Sequence, residues 1–185
     1  MKKQVLFIQG AGGGAYDEDA TLAESLRQIL GSDYEVRYPA MPDEENVPYD
    51  AWKACIEQEL ARMEGPVMVV GHSVGGSVLL KCLGEIETAQ PIAGIFVAAT
   101  PFWGGAGWTY EGYEQLALPA DSAARLPDGA PIFLYHCKDD STVPFDHMAL
   151  FQQLLPHATS RSLDEGGHQF NQDMTVVAKD IQEIR

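Results

Sequence analysis

A chain of 185 residues with 12 basic and 27 acidic side chains, formal net charge -15, has the length of one domain and can bury a substantial core. Such a charge repels phosphate backbones and anionic lipid surfaces, which excludes nucleic acid and the membrane as leading partners. Cys55, Cys82 and Cys137 are odd in number and widely spaced, with no CxxC or Cys/His cluster, so reduced buried thiols are expected rather than a disulfide framework or a structural zinc site.

The first apolar segment, residues 5–8, is far shorter than the ~7 to 15 residues of a secretory core despite the two lysines ahead of it. No run approaches the ~18 apolar residues of a membrane helix, the longest being residues 92–99, so a soluble cytoplasmic protein is expected. Residues 4–9 read as the first strand. The glycine-rich loop QGAGGGAY follows, then a helical stripe of Leu22, Leu26, Ile29 and Leu30 that stops at Gly31. Residues 34–38 make a second strand. Trp52, Cys55, Ile56, Leu60 and Met63 mark a helix ending at Gly65, ahead of a third strand at 67–71 and a helix at 74–83.

A fourth strand covers residues 93–98. The connection 100–129, with PFWGGAGWTYEGY in it, has no periodic stretch and reads as a small lid, a pocket wall or an insert. Residues 132–137 form a fifth strand; Met148, Phe151, Leu154 and Leu155 form a helix before Pro156; residues 160–163 form a sixth strand. Phe170, Met174, Val177, Ala178 and Ile181 space out a C-terminal amphipathic helix.

This alternation predicts one α/β domain over 1–185, a three-layer α/β/α sandwich around a six-stranded, mostly parallel sheet. VLFI, VMVV, GIFVAA and IFLYHC are nearly continuous apolar runs, as in strands covered on both faces, whereas YEVRY and TSRSL are polar enough for edges. The order 2-1-3-4-5-6 satisfies both constraints. It reverses between strands one and three, so a site is expected where the loops leaving Gly10 and Gly71 meet.

At that point stands Gly71-His72-Ser73-Val74-Gly75, a G-x-S-x-G pattern between a buried strand and a helix. Glycines two places either side let strand and helix pass closely, and the bend pushes the Ser73 hydroxyl above the sheet, at the positive end of the following helix. A serine hydroxyl needs a base, and the base an orienting carboxylate, later in the chain. HCKDDSTVP and DEGGHQF follow strands five and six at the matching ends. Asp140 and His168 are therefore the candidate acid and base, with Asp139 as the competing acid. Of the other histidines, His72 should project away from the nucleophile, His136 lies within a strand, and His147 and His157 should be solvated.

An oxyanion would need two backbone donors, Val74 and either Ala11 or Gly12. Gly10-x-Gly12-x-x-Ala15 also fits a dinucleotide fingerprint, but the second strand ends in Tyr38-Pro39 without the acid that would bind a ribose. No metal or organic cofactor is implied. Trp103 and Trp108 are candidate substrate contacts; with Phe102, Tyr110 and Tyr113 they could equally form a partner surface or pack the core.

GAGGG, YPAMPDE, Trp52, GHSVGG, DDSTVP and GGHQF together resemble the α/β-hydrolase superfamily, and within it the small capless serine hydrolases of the retinoblastoma-binding-protein-9 type. The resemblance implies a minimal α/β-hydrolase fold and a triad of Ser73, Asp140 and His168, the spacing D-x-x-V-P selecting Asp140 over Asp139. Gln9-Gly10 departs from the His-Gly that many relatives carry at the oxyanion loop. The expected function is cleavage of carboxylic esters of a small-molecule acyl substrate through an acyl-enzyme. The alternatives are amide, thioester or acyl-transfer chemistry with the same triad, or a protein-binding module with little catalysis.

Overall fold

The computed structural model describes residues 2–104 and 112–184. Six strands, β1 (Lys3–Ile8), β2 (Tyr34–Arg37), β3 (Val67–His72), β4 (Ile92–Ala98), β5 (Ile132–Cys137) and β6 (Thr159–Leu163), form one sheet in the order β2-β1-β3-β4-β5-β6. All five pairings are parallel. The helices are α1 (Ala15–Leu30), α2 (Tyr49–Ala61), α3 (Val74–Leu83), α4 (Ser122–Arg125), α5 (His147–Leu154) and α6 (Thr175–Glu183).

Successive strand residues point to opposite faces, and this divides the core in two. Leu6, Ile8, Val69, Ile95, Val97 and Leu134 meet Trp52 and Ile56 of α2, Val78 and Leu79 of α3 and Phe151 of α5. Val5, Phe7, Val70, Phe96 and Tyr135 face the other way, onto Leu22 and Leu26 of α1 and Val177 and Ile181 of α6. Every residue of β3 is buried, while β2 and β6 are partly exposed, as their polar sequences require of edges.

Three local expectations need correction. The C-terminal helix begins at Thr175 rather than Phe170, because Phe170, Asn171 and Gln172 all adopt positive φ (51°, 51° and 61°), which an α-helix of L-residues excludes. Phe170 and Met174 still bury against the same core. Residues 100–129 are not wholly irregular: Glu114–Leu116 forms a 3-10 turn and α4 follows. His147 is buried rather than solvated, its ring nitrogen Nδ1 accepting the Phe102 N–H at 2.8 Å; His157 is exposed as expected. Cys82 and Cys137 are buried free thiols whose pKa is pushed up by that burial to about 12. Among the described residues no helix is long and apolar enough to cross a membrane.

Candidate active site

The elbow owes its shape to three glycines. A Cβ on Gly71 would lie 2.6 Å from Gly76 Cα, one on Gly75 2.0 Å from the Gln9 carbonyl oxygen, and one on Gly76 2.1 Å from Thr100 Oγ1. Strand, helix and the end of β1 therefore approach at distances that no other residue type permits. Between them Ser73 is held at φ 50° and ψ -130°, a conformation that costs a non-glycine residue about 1–3 kcal/mol. The surrounding packing maintains it.

Two loops bring their side chains to this hydroxyl. His168 Nε2 is 3.0 Å from Ser73 Oγ, and His168 Nδ1 is 2.9 Å from Asp140 Oδ2. A carboxylate only accepts, so Nδ1 carries the hydrogen and Nε2 presents its lone pair to the serine hydroxyl. His168 is placed by Gly166 (φ 144°) and Gly167 (φ 59°), whose N–H groups donate to Asp139 at 3.2 and 2.8 Å. The two neighbouring acids thus divide the work: Asp140 meets the imidazole, Asp139 meets the loop that carries it.

Asp140 is enclosed. Its Oδ1 accepts the N–H groups of Thr142 and Val143 at 2.8 and 2.9 Å, which is the physical content of the D-x-x-V spacing, and Pro144 then ends the turn. Its Oδ2 receives His168 and, at 3.2 Å, Nε2 of His136, which also donates to the Val143 carbonyl. Burial opposes ionisation, but hydrogen bonds from His136, His168 and Val143 outweigh it and hold the carboxyl well below the usual carboxylate range. A depressed folded-state pKa contributes stability that is complete above the unfolded value of ~3.9 and is lost as pH falls through the folded value. The stability gap between the protein and Asp140→Asn, followed by urea unfolding, should therefore close as pH falls below ~4; a gap that persists undiminished at ~pH 2 would contradict the assignment.

The loop after β1 is anchored from an unexpected direction. Glu44, in the segment after β2, accepts Gly14 N–H at 2.6 Å, Tyr16 N–H at 2.7 Å and Gln9 Nε2 at 2.6 Å, while Gln9 Oε1 accepts the Met41 N–H. The carboxylate occupies the N-terminus of α1, where a dinucleotide phosphate would otherwise have its donors. Gln9, fully buried, ties β1 to that segment. Of the two oxyanion candidates on this loop, Gly12 is corrected: its N–H donates to the Glu44 carbonyl at 2.8 Å. The N–H groups of Ala11 and Val74 have no protein acceptor among the described residues.

Trp103 is 6% exposed, stacked on Tyr113 at 5.0 Å, with its indole N–H donating to Ser77 Oγ at 2.9 Å, so its placement is that of a core residue rather than an open substrate contact. Trp108 and Tyr110 lie outside the described residues. Sequence reasoning missed His136, Glu44 and, behind the elbow, His72 and Asp19. Asp19 had a readable signal, an acid on the same helical stripe as Leu22, Ala23 and Leu26. Glu44 had none, since its partners come from a loop about 30 residues earlier.

A model of the alpha/beta hydrolase family matches residues 5–171. The fold is similar to that of the ydeN gene product of B. subtilis, at 15% identity and TM-score 0.78, covering 99% of this chain and 98% of that one. It is also similar to the esterase domain of a Rhodothermus marinus protein (16% identity, TM-score 0.67, 97% of this chain and 84% of that one). A third likeness is to an N-formylmaleamic acid deformylase of Pseudomonas putida S16 (15%, TM-score 0.67, 98% and 91%). At these identities the likeness is one of fold. No curated protein matches the sequence.

Proposed function

The chain belongs to the alpha/beta hydrolase family, and from that premise we propose that it is a serine hydrolase that cleaves carboxylic esters through an acyl-enzyme. The observation that carries the reading is the continuous line from Asp140 Oδ2 through His168 to Ser73 Oγ, with links of 2.9 and 3.0 Å. In this reading Ser73 Oγ attacks the ester carbonyl while its proton passes to His168 Nε2, and the Asp140 carboxylate stabilises the imidazolium. The tetrahedral oxyanion is received by the N–H groups of Ala11 and Val74. Collapse breaks the bond to the alcohol, which takes the proton from His168; water, deprotonated by the same nitrogen, then releases the acid and restores Ser73. The motifs GHSVGG, DDSTVP and GGHQF further support a small capless hydrolase of the retinoblastoma-binding-protein-9 type.

A fluorophosphonate probe should label Ser73 stoichiometrically, and p-nitrophenyl esters of graded acyl length should turn over faster than matched amides and thioesters. Folded protein that never takes the label would refute the mechanism; preferred amide turnover would keep the triad and change the substrate class. Asp140→Asn should lower kcat about 10^3- to 10^4-fold, since it misorients the imidazole and leaves its charge uncompensated. Asp139→Asn, which keeps one acceptor for the glycine loop, should cost less than about tenfold. Steady-state kinetics of the two variants distinguish the acids, and equal losses would overturn the division of roles.

A further inference from the structure

Behind Ser73 and His168 lies a second histidine–aspartate pair that the proposed reaction does not use. His72 and Asp19 are each 1% exposed. His72 Nε2 is 2.9 Å from the backbone carbonyl oxygen of His168, and a carbonyl only accepts, so Nε2 carries a hydrogen. His72 Nδ1 is 2.8 Å from Asp19 Oδ2, an oxygen that also accepts the Gly10 N–H at 2.7 Å; Asp19 Oδ1 accepts Gln169 Nε2 at 3.0 Å. Donors converging on both oxygens favour the carboxylate anion, and Nδ1 then carries a hydrogen as well. This geometry calls for His72 as an imidazolium, donating from both ring nitrogens.

Burial works against both charges. The attraction of the pair, its direct hydrogen bond, and the bonds from Gly10, Gln169 and the His168 carbonyl prevail, raising the histidine and lowering the acid. The groups that face His72 are Asp19 from α1, the His168 ring at 4.9 Å between centroids from the loop after β6, and Asp140 from the end of β5; the Phe170 ring packs edge-on at 6.4 Å.

We propose that the His72–Asp19 ion pair is a positioning device that locks nucleophile, base and oxyanion loop into one register. Each of its contacts ends on a part of the machinery. His72 adjoins Ser73 in the chain, its Nε2 holds the backbone of His168, and Asp19 holds the Gln169 side chain one residue on. Asp19 also grips Gly10, the residue before Ala11, in a loop so close that a Cβ on Gly10 would lie 3.1 Å from Ser73 Cβ. Charge-assisted bonds in a dry site are shorter and more directional than neutral ones, which suits a part whose task is alignment.

This inference rests on the serine-hydrolase reading, and its tests separate the two. Asp19→Asn preserves shape and an acceptor for Gly10 while removing the charge. It should lower kcat about 10- to 100-fold and slow fluorophosphonate labelling in proportion, with KM changed by less than about twofold, because bound substrate is held elsewhere and only alignment is lost. His72→Gln should do the same, and the double variant should be no slower than the slower single one, since both dismantle one device. The charge is checked without catalysis: in Ser73→Ala protein, side-chain 15N resonances of His72 should be those of an imidazolium at pH 7. Full kcat in folded Asp19→Asn and His72→Gln, or a neutral His72 at pH 7, overturns the positioning device while leaving the hydrolase standing. Wild-type protein that neither takes the probe nor cleaves an ester overturns both.

Discussion

Ser73→Ala should reduce ester turnover by about 10^4- to 10^6-fold and abolish fluorophosphonate labelling, while the fold survives. The loss is this large because no other hydroxyl among the described residues is aligned with His168 Nε2; what remains is the contribution of the oxyanion donors and of substrate binding to attack by water. Stability should barely change. Alanine keeps a Cβ at φ 50°, so the strain at the bend is not released, and the lost oxygen had one protein partner among the described residues, at 3.0 Å. Ser73→Gly makes the complementary case: it is equally inactive but relieves the left-handed backbone, and should gain up to about 1 kcal/mol after glycine's own entropy loss. Turnover assays with urea melts check both. Residual activity within tenfold of the native protein would remove Ser73 from the mechanism.

Gly75→Ala should be the most damaging added methyl at any described glycine, costing more than about 4 kcal/mol or preventing the native elbow from forming. Its Cβ would stand 2.0 Å from the Gln9 carbonyl oxygen and 2.8 Å from that of Ile8, and main chain in a buried parallel strand cannot retreat. Gly76→Ala meets a side chain instead, Thr100 Oγ1 at 2.1 Å, so Thr100→Ala should restore part of its stability whereas no side-chain change rescues Gly75→Ala. Denaturant unfolding of these variants and the Gly76→Ala/Thr100→Ala double variant measures the contrast. A Gly75→Ala protein within about 1 kcal/mol of native stability would show that the elbow is looser than its distances imply.

The expectations drawn from motifs and those drawn from isolated residues fared differently. Ser73, Asp140 and His168 were picked from short patterns at strand ends, and their side chains meet within hydrogen-bond reach. The patterns were readable because each encodes a local backbone need: glycines where chains nearly touch, and an aspartate whose Oδ1 caps the two N–H groups following it. Histidines without such a frame were read less fully. His147 looked like a surface residue of a short helix, yet it holds the Phe102 backbone; His136 lies within its strand as expected, and from there it also donates to Asp140.

The amino-acid sequence alone determined the six strands, their order and which of them lie at the edges, because apolar periodicity and run length report directly on how many faces each strand buries. Tertiary structure alone decided how the loops above the sheet are held: Glu44 in the N-terminus of α1, Asp19 under the elbow, His136 beneath Asp140 and the left-handed turn at 170–172. The reason is range. The His72–Asp19 bond spans 53 positions and the Gln169–Asp19 bond 150, and a buried carboxylate selects its donors by proximity in the fold, which leaves no period or spacing along the chain to read.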